Sequence, residues 1–273
     1  MRNRKILLVD CGLKVDVQNR IRTAHPNNYA DITILEYAKQ MKLRDSIDRF
    51  LLIEHPNLNK KEVDTLFEKN RYAGVIVNGS TYIIPHNDTR LVSTNLTSGD
   101  LNATVLQIIS YCGERGIPLL GICYGQHMLG RFAGEEIVQL PLPELGFVMI
   151  NLTEVGKQHP LFEGVPLSLL VPQFHSYGIT QSKSTQILAR NDCCVQAMII
   201  PGTELVGIQF HIDFLSTVGE KEYGTMEHQS IKFPDFFTIA SRRQRIVIHP
   251  ENKDTYAISN GPLGKFMGRI LSE

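Results

Sequence analysis

Short apolar runs alternate along the first half of the chain with stretches whose apolar residues recur at helical spacing. Residues 5–9 (KILLV), 32–35 (ITIL) and 74–77 (GVIV) read as buried strands, the third ending at Asn78-Gly79. Residues 42–54 and 60–70 read as the helices between them. After Asp100, the residues Leu101, Val105, Ile108, Ile109 and Cys112 fall at helical spacing, with Asp100 placed to cap the start and Gly113 and Gly116 near the stop. Residues 118–122 (PLLGI) read as a further strand, and Tyr124 to Phe132 as a helix closed by Gly134. Strand and helix alternating with few hairpin turns demand crossover connections, and crossovers make a parallel sheet.

From residue 135 the pattern turns strand-rich, with runs at 147–152, 168–174, 185–189, 194–200 and 205–210. Several are separated by only a few turn residues, such as Pro201-Gly202, which predicts antiparallel pairing on one side of the sheet. The expected fold class is α/β, an open, mostly parallel central sheet with flanking helices and a small antiparallel extension. Residues 214–273 hold a polar stretch, a basic cluster at Arg242, Arg243 and Arg245 that reads as a solvated face, and a helix from Pro262 to Leu271. No internal repeat or low-complexity tract occurs.

Composition narrows the function classes. The 273 residues include 28 Lys+Arg and 28 Asp+Glu, so the formal net charge is zero and no electrostatic case exists for nucleic acid or anionic membrane as the main partner. At 42% hydrophobic and 21% charged, the chain is an ordinary globular one. The apolar run Ile6–Val9 is stopped by Asp10, too short for a signal peptide, and no stretch approaches the roughly 20 apolar residues of a membrane span. The expectation is a cytoplasmic protein. The five cysteines, at 11, 112, 123, 193 and 194, have neither C-x-x-C nor zinc-finger spacing, which argues against a disulfide framework or a structural metal.

Chemistry concentrates at Gly121-Ile122-Cys123-Tyr124-Gly125, directly after one apolar strand and directly before a helix. A G-x-nucleophile-x-G turn there is a nucleophile elbow, in which the glycines permit a sharp bend that presents the middle side chain at the carboxyl end of the sheet. The helix N-terminus favours thiolate over thiol, and the Tyr124 N–H points at the same place as an oxyanion donor. Such a turn can also hold a merely buried cysteine. A thiol in acyl transfer needs a base, and among the nine histidines His211 follows the strand 205–210 immediately, where open α/β sheets place their chemistry. Asp213 lies two residues further, on the same face of an extended chain, so Cys123, His211 and Asp213 compose a candidate triad.

GICYGQH at 121–127 and GIQFHID at 207–213 resemble the nucleophile and His-x-Glu motifs of class I glutamine amidotransferase domains. That cysteine-triad family includes the amidase domain of GMP synthetase and the plant γ-glutamyl peptidases. GVIVNGS at 74–80 is similar to the family's glycine-bearing strand end, and HPLFEGVP at 159–166 with VPQFHSYG at 171–178 is similar to the stretch leading into its histidine-bearing loop. The resemblance covers about residues 3–215. It implies a flavodoxin-like domain over 1–215 with a C-terminal extension over 216–273 packed on it.

By the same resemblance Cys123 attacks an amide carbonyl, backbone N–H groups of Tyr124 and of Gly79 or Ser80 hold the oxyanion, His211 and Asp213 handle protons, and no metal or organic cofactor takes part. The substrate-binding positions fall on Gln126, His127, His175 and Tyr177. There the chain departs from the family, with His127 in place of the Gln four residues after the nucleophile, Phe174-His175-Ser176-Tyr177 in place of Ser-His-Gly-Asp, and Asp213 in place of Glu. No G-x-x-x-x-G-K-[ST] loop and no second recognisable acceptor-activating domain occur, so ammonia released for a synthesis would go to a synthetase on another chain. Three readings follow. They are glutamine or γ-amide hydrolysis coupled to a separate synthetase, stand-alone γ-glutamyl hydrolysis, and a binding or regulatory module without turnover.

Overall fold

The structure is a computed structural model that describes residues 4–12, 14–15, 21–22, 34–35, 38–39, 41–80, 97–211 and 254–272. Its strands are β1 (Ile6–Asp10), β2 (Lys14–Val15), β3 (Ile21–Arg22), β4 (Ile47–Leu51), β5 (Gly74–Val77), β6 (Leu119–Ile122), β7 (Val138–Leu152), β8 (Ser168–Gly178), β9 (Gln186–Arg190), β10 (Val195–Ile199) and β11 (Leu205–Ile208). The helices are α1 (Lys60–Asn70), α2 (Ser98–Arg115), α3 (Tyr124–Phe132), α4 (Glu154–Gln158) and α5 (Asp254–Ser272).

β1, β5, β6 and β11 are buried at every position, as strands covered on both faces must be. Alternation along them divides the core. Leu7, Val9, Val75 and Val77 face the cluster shared with α1 and α2, while Ile6, Leu8 and Ile76 face the cluster that includes Leu263, Phe266, Met267 and Ile270 of α5. At Gly74 an added Cβ would lie 2.4 Å from Ile270 Cδ1, so the Ile270 side chain of α5 packs directly over β5.

The main sheet runs β4-β1-β5-β6-β11-β10-β9-β7-β8, and β2 pairs with β3 separately. From β4 to β11 every pair is parallel; β11–β10, β10–β9, β9–β7 and β7–β8 are antiparallel. This is the open α/β sheet expected from the chain pattern, its antiparallel part lengthened by the β7–β8 hairpin. Val9 pairs with Val77, Val77 with Gly121, and Gly121 with Gly207, so four strands end together and bring Gly79, Cys123 and Gln209 to the same level.

Local signals set the helix ends. Asn59 caps α1 in a capping box with Glu62, and α2 ends at Gly116 with φ 63°. Asp100 is the third residue of α2 and completes a capping box whose cap is Thr97, three residues earlier than the pattern implied. Two other expectations are corrected. The strand beside β1 is 47–51, inside the stretch read as a helix, and Ile34 and Leu35 of the run read as a strand are helical. A short apolar run does not distinguish a strand from a buried helical turn, and pairing to β1 decides it. β7 also begins nine residues before its apolar run, because Pro141 and Pro143 make the segment 138–146 look like a loop.

Candidate active site

β6 ends at Ile122 and α3 begins at Tyr124, so Cys123 alone makes the turn, with φ 52° and ψ −103°. A non-glycine residue in such a conformation is strained and is retained where the surroundings over-determine it. The surroundings here are explicit. The Cys123 N–H donates to Ile208 O at 2.7 Å, and the Cys123 carbonyl accepts from His127 N at 3.1 Å. A Cβ on Gly121 would lie 2.5 Å from the Gly125 carbonyl carbon, and one on Gly125 only 2.3 Å from Val77 O. Both glycines of the G-x-C-x-G sequence are therefore required by close approach.

His211 follows β11 and is held from the other side, its N–H donating to Pro172 O of β8 at 2.9 Å. The two candidate reacting groups meet beside Gly79. A Cβ built there would sit 3.2 Å from His211 Cε1, 3.4 Å from Cys123 Cβ and 3.9 Å from Cys123 Sγ. The sulfur and the imidazole thus flank one point at the carboxyl end of β5, which a side chain at 79 would invade. Cys123 is 6% exposed and His211 8%, so the pair is recessed. Tyr124 turns its ring away: it is buried, and its hydroxyl donates to Asn102 Oδ1 of α2 at 2.7 Å, tying α3 to α2. Burial pushes the Tyr124 phenol up, so it stays a neutral donor.

The chain matches known proteins in the same region. Residues 86–228 match the family described as glutamine amidotransferase class-I, a segment that contains both the elbow and His211. The chain belongs to the class I glutamine amidotransferase family. A glutamine amidotransferase-like protein of Salmonella typhimurium, YfeJ, is 30% identical over 117 residues, 43% of this chain and 48% of that protein. A glutamine-hydrolysing GMP synthase subunit from Pyrococcus furiosus is 28% identical over 113 residues, 41% of this chain and 58% of that one. The matched segment thus spans about half the length of these relatives. Among solved structures, a glutamine amidotransferase from Thermotoga maritima superposes with a TM-score of 0.66 at 16% identity, over 100% of each chain. One from Methylobacillus flagellatus gives 0.61 at 12% identity, over 97% of this chain and 94% of that one. These two share the fold.

The remaining candidate residues of this amidotransferase domain divide into three groups. Gly79 and Ser80 follow β5 at the cleft, whereas Asp213 and the arginines at 242, 243 and 245 lie outside the described residues. Gln126, His127 and His175 are buried and engage strand residues. Gln126 Nε2 donates to Val195 O at 3.0 Å, His127 Nε2 is 2.7 Å from Gln209 Oε1, and His175 Nδ1 is 2.9 Å from Tyr177 O. The Tyr177 ring is partly buried against the core on the α1–α2 side.

Four polar residues were not singled out from the sequence: Glu144, Gln173, Gln196 and Gln209, all fully buried. Glu144, Gln173 and Gln196 form a polar layer within the antiparallel half of the sheet, with Gln173 Nε2 donating to Gln196 Oε1 at 2.5 Å and Gln196 Nε2 to Glu144 Oε2 at 2.7 Å, while Gln209, just past β11, meets His127. Burial pushes the Glu144 carboxyl up, but the contacts from His175 and Asn191 outweigh it and hold it below the usual carboxylate range. A signal for the glutamines was present, since each interrupts an apolar strand run: VPQF, CVQAM and GIQF. A glutamine inside a buried run must find partners, and a layer of them marks a constructed interior.

Proposed function

We propose that this chain hydrolyses the side-chain amide of glutamine or a related γ-amide, with Cys123 as nucleophile and His211 as acid and base. The juxtaposition of the Cys123 sulfur and the His211 ring around the Gly79 point carries this reading. In the reaction the Cys123 thiolate adds to the amide carbonyl carbon, forming a C–S bond and an oxyanion. The N–H of Tyr124, first in α3 and without an intrahelical acceptor, and the N–H of Gly79 or Ser80 stabilise that oxyanion. Collapse breaks the C–N bond as His211 gives its proton to the departing nitrogen, so ammonia leaves and a thioester remains. His211 then takes a proton from water, which attacks the thioester, and the carboxylic acid departs as the thiolate is restored. Asp213 orients the imidazole in this scheme.

The likeness to a glutamine-hydrolysing GMP synthase subunit supports a partner chain that consumes the ammonia. The test is product analysis of the wild type and Cys123→Ala on glutamine, asparagine, γ-glutamyl dipeptides and simple amides, with mass spectrometry of the chain trapped by a diazoketone analogue of glutamine. Ammonia from glutamine that Cys123→Ala abolishes, with the trap on Cys123, is the expected result. Turnover unaffected by that substitution, or no thioester and no ammonia from any γ-amide even with a candidate synthetase added, overturns the proposal.

A further inference from the structure

Three donor side chains from three separate stretches converge in the antiparallel half of the sheet: Glu144 of β7, His175 of β8, and Cys194 immediately before β10. Glu144 and His175 are register partners across the β7–β8 pair. His175 Nε2 lies 3.2 Å from Glu144 Oε2, Cys194 Sγ lies 3.5 Å from the same oxygen, and the three donor atoms all fall within 4.8 Å of one another. All three residues are buried.

The histidine's tautomer makes the arrangement informative. His175 Nδ1 faces the Tyr177 carbonyl at 2.9 Å, and a carbonyl only accepts, so Nδ1 carries the hydrogen. Nε2 is the ring atom turned toward the other two donors. That nitrogen makes no hydrogen bond of acceptable geometry, although the side chain is only 3% exposed and a carboxylate oxygen is its neighbour. A buried ring nitrogen without a hydrogen bond beside a carboxylate is poorly satisfied, and a cation coordinated by both supplies the missing partner.

The spacing suits a metal ion. For tetrahedral zinc, with Zn–N and Zn–O of about 2.0–2.1 Å and Zn–S of about 2.3 Å, neighbouring N···O and S···O donors stand about 3.4 and 3.5 Å apart. The observed 3.2 and 3.5 Å lie close to both. One carboxylate and one thiolate neutralise a divalent ion, leaving no net charge in the interior. The surrounding groups orient the donors as metal sites require: Asn191 Nδ2 donates to Glu144 Oε1 at 2.6 Å, and Gln196 Nε2 reaches Glu144 Oε2 at 2.7 Å and Cys194 Sγ at 3.3 Å.

We propose that Glu144, His175 and Cys194 bind one zinc-class divalent cation that clamps the β7–β8 hairpin to β10. On binding, the Cys194 sulfur gives its proton to solvent and coordinates as thiolate. β8 also carries Pro172, whose carbonyl holds the His211 N–H, so the clamp steadies the strand against which the candidate base rests. The cysteine spacing shows nothing of this, because the donors come from positions 144, 175 and 194. The site stands independently of the amidase reading.

The test is production of the full chain in minimal medium supplemented with cobalt or zinc alone, followed by metal analysis and absorption spectroscopy. One ion per chain is expected, with a near-ultraviolet thiolate-to-cobalt band and the visible bands of tetrahedral cobalt. Cys194→Ser and His175→Gln should each abolish the bands and weaken zinc retention against a chromophoric chelator by at least about 100-fold, since even outer partners are worth 10- to 100-fold. Cys193→Ser and Cys123→Ala should keep them. Wild type that carries neither metal overturns the proposal, and so do bands that survive Cys194→Ser or His175→Gln but vanish with Cys123→Ala, which would place the ion on the nucleophile. If Cys194→Ser does not fold, His175→Gln gives the same discrimination.

Discussion

Adding one methyl group at Gly125 is expected to damage stability and activity together, whereas the same change at Gly113 should not. A Cβ at 125 would stand 2.3 Å from Val77 O and 3.2 Å from both the carbonyl carbon and the Cβ of Val77. Ordinary carbon–oxygen contact needs about 3.3 Å, so α3 must retreat from β5 by about 1 Å. The obstacle is backbone in a central strand and has no rotamer to change. Overpacking of this kind costs about 3 kcal/mol at the upper end, and better helix propensity returns about 1, leaving a net loss near 2 kcal/mol. For a domain of this size that lowers Tm by about 4–8 °C.

α3 carries the Tyr124 N–H and begins directly after the nucleophile, so a 1 Å displacement should also reduce kcat by about 100-fold. At Gly113 in α2 the new Cβ meets only Leu205 Cδ1, at 3.4 Å, and the gain in helix propensity should leave Tm unchanged or slightly raised. Urea unfolding, thermal melts and ammonia release on the pair of variants check this. A Gly125→Ala protein with wild-type midpoint and wild-type turnover would show that the elbow does not pack as described.

Other consequences can be measured as readily. Glu135 accepts from Lys183 N at 2.9 Å, Ser184 N at 2.9 Å and Thr185 N at 2.8 Å; burial pushes its carboxyl up, but these bonds win and hold it below the usual range. A carboxyl with a depressed native pKa adds stability above its unfolded value of about 4.3 that is lost as pH falls through the native one, so Glu135→Gln should flatten the acid limb of a stability–pH profile and cost about 2 kcal/mol at neutral pH. Arg49 donates from Nε at 2.9 Å to the buried Asp10 carboxylate, so Arg49→Leu removes this buried ion pair and should cost about 3 kcal/mol by urea titration, while the double variant with Asp10→Asn should recover part of the loss. Tyr124→Phe removes the bond to Asn102 and should lower stability by about 1–2 kcal/mol, with kcat reduced less than in Gly125→Ala because the Tyr124 N–H is untouched.

Much of the parallel half was legible because its signals are local. β1, β5 and β6 follow from apolar runs and α1 from the stretch between two of them, and the elbow from five consecutive residues whose glycines each meet backbone. The strand at 47–51 was misread as helix because IDRFL has no clear period, and only pairing with β1 makes it a strand. The first half of β7 was hidden by its prolines.

By itself the sequence determined the strand–turn–helix at Cys123 and the placing of a histidine at the end of the neighbouring strand, since both depend on residues adjacent in the chain. Only the tertiary structure decided what lies across from what. The approach of His211 to the Cys123 sulfur beside Gly79 depends on the register of β5, β6 and β11, and the meeting of Glu144, His175 and Cys194 depends on a hairpin folding back towards β10. Neither is encoded in any short window, because hydrogen-bond pairing between distant strands, rather than spacing along the chain, sets those distances.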